Sequence, residues 1–213
     1  GTWEFPGTDL KVPTFYRSQD KERSFLSFQQ RSWSHAKKRQ EELDMEGKYL
    51  LANPNFSEAR NLETVEKIID AVKDIDGVKL VKYEPEGEFN RTVVTLVGTP
   101  DPLMEALVSL TAKCVELIDM REHSGTHPRM GAMDVIPVYP FKNVTIDEAV
   151  EFSRELADRI FEKTEVPIFF TGSSATSEKR KKLPFIRKGQ FEGLRDLLKD
   201  SRDLPERSEE YES

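Results

Sequence analysis

Two strand-like segments, Val78-Lys-Leu-Val-Lys-Tyr83 and Thr92-Val-Val-Thr-Leu-Val97, flank the polar stretch Glu84 to Asn90. Runs rich in valine and threonine on both sides of a polar loop predict a β-hairpin. After the hairpin, Asp101-Pro102 predicts a helix start, because it combines a cap with a proline in the first turn. This helix has one apolar face at helical spacing, formed by Leu103, Leu107, Leu110, Cys114, Leu117 and Ile118.

The segments before and after this hairpin and helix complete a known order of secondary-structure elements. Tyr49-Leu50-Leu51-Ala52 predicts a strand that breaks at Asn53-Pro54. Asn61 can cap the following helix, whose apolar face consists of Val65, Ile68, Ile69, Val72 and Ile75. A further strand is predicted at Val135 to Phe141. The order strand, helix, strand, strand, helix, strand predicts an α+β fold of the ferredoxin-like, split βαβ type, with both helices on one face of an antiparallel sheet.

The pattern continues beyond this unit. Thr145-Ile-Asp-Glu148 is a capping box that predicts a third helix. The inward residues of this helix are predicted to be Ile146, Ala149, Val150, Ala157 and Ile160. The apolar run Val166 to Phe170 predicts a strand that extends the sheet.

Composition and charge exclude several classes of protein. The 213 residues include 39 acidic and 32 basic side chains, a net charge of −7, so a general nucleic-acid binder is not expected. No apolar stretch approaches the roughly 18 residues of a membrane span, and the first residues have no signal-peptide pattern. The single cysteine excludes an internal disulfide. We expect a cytoplasmic protein, or one of the mitochondrial matrix if a leader has been removed.

The chain is predicted to have three parts: an extension over 1–46, a domain over 47–199 and an acidic tail over 200–213. The extension is rich in aromatic residues without a sustained period, and we interpret it as a segment that docks onto other protein chains, with a disordered leader as the alternative. Its aromatic residues are Trp3, Phe5, Phe15, Tyr16, Phe25, Phe28 and Trp33. The basic segment Lys179 to Lys188 has two interpretations, a patch for an anionic ligand or a solvated face paired with the acidic tail.

The loop Arg121 to Gly131 has the residues best suited to chemistry. His123 and His127 have the spacing of two metal ligands on a helix, but Gly125 and Pro128 argue against a helix, so a metal site is not expected. A histidine can act as a general acid or base near neutral pH, and an arginine such as Arg129 can bind a carboxylate or phosphate. From spacing alone, a histidine with only a structural role in the loop remains the favoured interpretation.

The run from Leu117-Ile-Asp-Met120 through His127-Pro-Arg-Met-Gly-Ala-Met-Asp-Val-Ile-Pro137 resembles the signature of the glutamate formimidoyltransferase family. Three other segments are also similar to the family: Pro54-Asn-Phe-Ser-Glu58 with Arg60-Asn61, Asn90-Arg-Thr-Val-Val-Thr with Val97-Gly98, and Ile186-Arg-Lys-Gly-Gln-Phe-Glu-Gly193. The resemblance covers about residues 48 to 198 and matches the N-terminal subdomain, which in this family has a ferredoxin-like sheet.

The resemblance implies an activity and a set of site residues. Family members transfer a formimino group from formiminoglutamate to the N5 nitrogen of tetrahydrofolate, their co-substrate, in histidine breakdown. His127 takes the position of the general base that accepts the N5 proton. The substrate- or folate-binding residues implied by the resemblance are Asn55, Ser57, Glu58, Glu84, Asn90, Arg91 and Arg129.

The chain also departs from the family pattern. Family enzymes add a second subdomain and a folate-contacting segment, for which we expect no counterpart in this chain. Individual positions differ as well: Leu51-Ala52-Asn53, Ala59, Glu84, and Thr171 with Ser173 and Ser174.

Two main hypotheses follow. In the first, the chain is an enzyme subdomain that completes its channel with a C-terminal-subdomain partner or by self-association. In the second, it is a catalytically inactive accessory subunit of a larger, mitochondrial or other, protein assembly. A third hypothesis is binding of folate or a dicarboxylate without turnover, through Arg129 and the basic segment Lys179 to Lys188.

Overall fold

The structure, a computed structural model, describes residues 47–197. Within this range the strands are β1 (Tyr49–Ala52), β2 (Asn55–Phe56), β3 (Val78–Glu86), β4 (Arg91–Gly98), β5 (Met133–Val135) and β6 (Val138–Lys142). The helices are α1 (Leu62–Asp70), α2 (Pro100–Leu117), α3 (Ile146–Thr164), α4 (Leu183–Ile186) and α5 (Gln190–Leu197). The predicted extension and acidic tail lie outside the described residues, so the division into three parts stays a prediction.

The strands form one antiparallel sheet of ferredoxin-like order. β1 and β2 act as a first strand that is interrupted at Asn53-Pro54, and β5 and β6 act as a last strand that is interrupted at Ile136-Pro137. The first strand lies between β4 and the last strand, and β3 pairs with the outer edge of β4. The predicted α+β fold is therefore confirmed.

Each of the three long helices begins where the sequence provides a cap or a proline. The Asn61 side chain accepts a hydrogen bond from the Thr64 amide at the start of α1. Helix α2 has prolines in its first turn, and the Thr145–Glu148 capping box is present at the start of α3. None of the helices within 47–197 is both long and apolar enough to cross a membrane.

Strand β4 shows how the sheet divides into two faces. Thr92, Val94 and Leu96 are completely buried beneath the helices, together with α1 and α2 residues such as Ile68 and Leu107. Because side chains alternate along a strand, the intervening residues point to the opposite face, where they are only half-buried. We call this opposite face the open face, and β4 contributes to it Arg91, Val93, Thr95 and Val97.

The strand predicted at Val166 to Phe170 is reduced to a single bridge residue, Ile168. Pro167 has no amide hydrogen to donate to a strand ladder, which limits pairing in this run. The apolar side chains serve packing instead, as shown by Phe170, which is buried. The prediction of one strand over Val135 to Phe141 also needs correction, since Pro137 lies at the break between β5 and β6.

We expect Thr145→Ala to lower the free energy of unfolding by about 1 kcal/mol, because the Thr145 hydroxyl accepts the Glu148 amide hydrogen at the start of α3. Urea denaturation of the full chain would measure the change. Thr145→Ser keeps the hydroxyl and is the matched control. Equal losses in the two variants would show that the hydroxyl contributes nothing to the cap.

Candidate functional site

The open face brings several predicted site residues into one row. Asn55 is the direct neighbour of Val93, and Val93 is the direct neighbour of Glu84 on the other side. Arg91 lies two residues before Val93 and therefore shares its face. Glu84 is part of β3 rather than of the following loop, because strand pairing continues as far as Glu86 and Arg91.

His127 joins this face through Arg91. Nη1 of Arg91 lies 2.7 Å from Nε2 of His127. The Phe89 ring contacts both groups: its centroid is 5.9 Å from that of the imidazole, edge to face, and 5.8 Å from the guanidinium carbon of Arg91. We call Phe89, Arg91 and His127 the histidine cluster.

The cluster keeps His127 neutral. A guanidinium can only donate, so Nε2 of His127 accepts and the proton of the neutral ring is on Nδ1. Burial lowers the pKa of His127 below its ordinary value of 6.5, the positive charges of Arg91 and Arg187 lower it further, and Asp134 acts in the opposite direction. At pH 7 the imidazole is therefore uncharged, the form that a general base requires.

We expect His127 to become protonated only below pH 6.5, because its folded environment disfavours the cation. Any activity that requires the neutral ring should then persist at pH 6.5 and be lost at lower pH. NMR of the ¹⁵N-histidine-labelled chain would measure the titration, since the sequence has three histidines and His127→Gln identifies the relevant signal. A midpoint above 6.5 would contradict this expectation.

Asn90 connects two loops next to the cluster. It is buried, with a left-handed backbone at φ 51°. Its side-chain oxygen accepts from the Ala59 amide at 2.9 Å, and its side-chain nitrogen donates to the Ser124 carbonyl at 3.0 Å. Its own carbonyl accepts from Nε2 of His123 at 3.0 Å, while Nδ1 of His123 accepts from Arg129. Asn90 and His123 thus shape the loop that presents His127.

Gly125 lies against the turn that precedes β4. A Cβ atom at this position would be only 2.2 Å from the Phe89 carbonyl oxygen, closer than any side-chain carbon can approach. The next residue, Thr126, donates its amide to the Glu88 carbonyl at 3.4 Å. This close approach holds the loop of His127 beside the first residue of β4.

Ser57 and Glu58, two further predicted site residues, bind backbone groups. The Ser57 hydroxyl donates to the Gly131 carbonyl at 2.8 Å. One carboxylate oxygen of Glu58 accepts amide hydrogens at 2.9, 2.8 and 3.0 Å from Ala59, Arg60 and Asn61. Both side chains therefore order the segment between β2 and α1, and their contact with a substrate stays a prediction.

Glu84 differs from these residues because its side chain is exposed and pairs with Lys82 at 2.7 Å on the same strand. A pair of this kind in water is weak. The carboxylate of Glu84 is therefore accessible to a ligand on the open face.

Arg129 already holds a carboxylate of its own chain. Its side chain is only 12% exposed, and its two terminal nitrogens lie 2.7 and 3.0 Å from the Glu192 carboxylate. It also donates to Gln190 at 3.0 Å, and its carbonyl accepts the Phe191 amide. The guanidinium therefore ties the loop to α5, and its predicted contact with a substrate would require Glu192 to move.

The sequence reasoning missed a buried ion pair close to the cluster. Asp134 of β5 has a completely buried side chain that pairs with Arg187. Its other oxygen accepts the Met130 amide at 2.7 Å. An acidic residue inside the short apolar strand Met133–Val135 was the available signal, because a buried carboxylate needs a partner. Phe89 was missed as well, since an exposed aromatic residue in a turn has no distinctive pattern.

The basic segment Lys179 to Lys188 is partly used within the fold. Arg187 pairs with Asp134, Arg180 is buried, and Lys181 pairs with Glu178 at 2.5 Å. Its pairing with the acidic tail concerns residues outside the described range. In residues 47–197, no three histidine, cysteine, aspartate or glutamate side chains converge in a way that could hold a metal ion.

A cavity of about 1150 Å³ is lined by residues of α2, β5, β6, α3 and the chain that follows α3. Its lining is largely apolar and includes Val115, Ile160 and Phe169, but none of the three cluster residues. Its polar lining residues, such as Asp134, Tyr139 and Lys181, include no histidine, the side chain best suited to act as a general base near neutral pH. The candidate site is therefore the open face around the histidine cluster.

Comparison with known proteins finds similarity both to a protein family and to individual proteins. The family described as "Formiminotransferase domain, N-terminal subdomain" matches residues 49–210. The formimidoyltransferase-cyclodeaminase of Dictyostelium discoideum is 42% identical over 153 residues, which are 72% of this chain and 28% of that protein. The glutamate formimidoyltransferase of Streptococcus pyogenes serotype M1 is 43% identical over 145 residues, 68% of this chain and 48% of that protein.

A mammalian formimidoyltransferase-cyclodeaminase is also similar to this chain. The formimidoyltransferase-cyclodeaminase of Rattus norvegicus is 39% identical over 153 residues, again 72% of this chain and 28% of that protein. The match thus spans between about a quarter and a half of the length of these relatives.

Proposed function

We propose, since this chain belongs to the family of the formiminotransferase domain, N-terminal subdomain, that it takes part in formimino transfer from formiminoglutamate to the N5 nitrogen of tetrahydrofolate. The resemblance seen in the sequence is thereby confirmed at the level of the family. The reaction, the two substrates and the role of each residue are the proposal. Tetrahydrofolate enters it as a co-substrate.

The position of His127 is the observation that carries the proposal. The imidazole is neutral at pH 7 and lies beside the open face, in contact with Arg91. On the same face, Asn55 and Glu84 flank Val93 of β4. A base next to a cation, an amide and a carboxylate suits a substrate with both amine and carboxylate groups.

The residues have distinct roles in the proposed reaction. As N5 forms a bond to the formimino carbon, His127 accepts the N5 proton and becomes an imidazolium. When the bond between this carbon and the glutamate nitrogen breaks, the imidazolium returns a proton to that nitrogen. The products are 5-formimino-tetrahydrofolate and glutamate, and the ring is neutral again.

The proposal also includes the segment that would cover the open face and form the opposite wall of the site. We propose that a C-terminal subdomain covers the open face and completes a substrate channel. Tyr139 supports this idea, because it is the direct neighbour of the open-face residue Leu51 and is 50% exposed. Exposed aromatic side chains on a sheet face are typical of a surface that another protein segment covers.

The experiment that tests the function is a turnover assay with both substrates. The full chain would be assayed alone and together with the separately expressed C-terminal half of the S. pyogenes relative. Mass spectrometry would detect 5-formimino-tetrahydrofolate, and the intact S. pyogenes enzyme is the positive control. Formation of the product in either condition supports the proposal. Its absence in both, with an active control, would reject it and leave the accessory-subunit hypothesis.

A further inference from the structure

Arg91 is a half-buried cation without a carboxylate partner in the described part of the chain. Arg129 and Arg187 hold Glu192 and Asp134, respectively. The contacts of Arg91 within residues 47–197 are instead the His127 ring nitrogen and the face of Phe89. Its Nε is buried and has no hydrogen-bond partner among those residues. A half-buried guanidinium with an unused donor is suited to bind an anion from outside.

The same guanidinium occupies the lone pair that His127 needs as a base. Nη1 of Arg91 donates to Nε2 at 2.7 Å, and Nε2 is the unprotonated nitrogen of the ring. A nitrogen whose lone pair accepts this hydrogen bond cannot also accept a proton from a substrate. In the described arrangement His127 is therefore neutral but blocked.

We propose that Arg91 binds a carboxylate of the glutamyl substrate, and that this binding draws the guanidinium away from Nε2 and frees the lone pair. The inference rests on the proposed function, because the glutamyl group comes from it. One hydrogen bond to nitrogen is exchanged for one or two to a carboxylate, and no covalent bond changes. Nε2 can then accept the proton of the attacking amine, which leaves protons on both ring nitrogens.

Charge favours this exchange. The cation of Arg91 opposes protonation of the ring, so a carboxylate that neutralises it makes the imidazolium easier to form. The other charged groups that act on His127 are Arg187 and Asp134, which are paired with each other and stay in place. His127 thus becomes a competent base when the glutamyl carboxylate is bound.

NMR of the full ¹⁵N-histidine-labelled chain tests this without turnover. The probes are glutamate and 4-aminobenzoylglutamate, which correspond to the formimino donor and to the folate tail, and glutaramide is the uncharged control. We expect at least one of the two carboxylate probes to change the Nε2 signal of His127 and to raise the pKa of the ring, and glutaramide to do neither. The probe that acts identifies which substrate supplies the carboxylate.

Variants show whether the response passes through Arg91. Arg91→Gln should abolish the response and weaken binding of the active probe about 10- to 100-fold. Arg121→Gln removes an exposed arginine of the neighbouring loop and should leave the response intact. The His123 signal reports on the fold, and if Arg91→Gln disturbs it, Arg91→Lys replaces that variant and should show a reduced response.

Two results would overturn the inference: no response of His127 to either carboxylate probe, and a full response in the Arg91 variant. Failure of the proposed function would appear separately, as an absence of product in the turnover assay. A chain that turns over substrate but shows no response of His127 would keep the function and lose the role of Arg91.

Discussion

Replacing His127 with alanine is expected to lower the rate of the proposed formimino transfer by about 10² to 10⁴-fold, the usual contribution of a general acid or base. The neutral imidazole is the general base of the proposed reaction. Steady-state kinetics with tetrahydrofolate and formiminoglutamate, in whichever assay condition gives turnover, would measure the loss. The effect should fall on kcat, because alanine removes the base but few binding contacts.

A second histidine in the same loop provides the control. His123 donates to the Asn90 carbonyl, a bond that a glutamine amide can replace. His123→Gln should therefore leave the rate measured per folded molecule close to that of the unmodified chain. A rate that His127→Ala leaves unchanged would remove His127 from the chemistry.

Asp134→Ala is expected to destabilise the domain by about 3 to 5 kcal/mol, because it leaves a buried charge without its partner. The Asp134 side chain is completely buried, and the Arg187 side chain is 16% exposed. Nε of Arg187 already has no hydrogen-bond partner within residues 47–197. The substitution also leaves the Met130 amide without its acceptor. Urea denaturation of the full chain would measure the change in unfolding free energy.

The exposed pair of Asp119 and Arg121 is the matched comparison for this buried pair. Asp119→Ala removes the same kind of carboxylate from a solvent-exposed position, where such pairs contribute little. Its midpoint of unfolding should stay close to that of the unmodified chain. If Asp134→Ala proved equally mild, the buried pair would not anchor the segment that contains Arg187 to the sheet.

The fold could be predicted from the sequence because its signals are local. Alternation along β4, the Asn61 cap and the Thr145 capping box each depend on residues close together in the chain. The prediction of a strand at Val166 to Phe170 was wrong because it, too, used only a local signal. An apolar run can pack against neighbours without pairing, and its local pattern does not distinguish the two outcomes.

The candidate site could be predicted only in part, because its contacts join distant segments. His127 and Arg129 were singled out from the same loop, yet one contacts Arg91 and the other contacts Glu192. The sequence around an arginine does not indicate which carboxylate the side chain will contact in the folded protein. The structural role of Arg129, and the absence of a carboxylate partner for Arg91 among residues 47–197, therefore became apparent only from the assembled fold.

Gly125 offers a criterion for sorting distant relatives. Any other residue at this position would place a carbon atom 2.2 Å from the Phe89 carbonyl oxygen. The turn before β4 and the loop of His127 would then have to separate, and the histidine would lose its place beside Arg91. A homologue that keeps the histidine but has a larger residue at the aligned position is therefore expected to have abandoned this arrangement. A single glycine can thus distinguish site-competent sequences from those that retain only the fold.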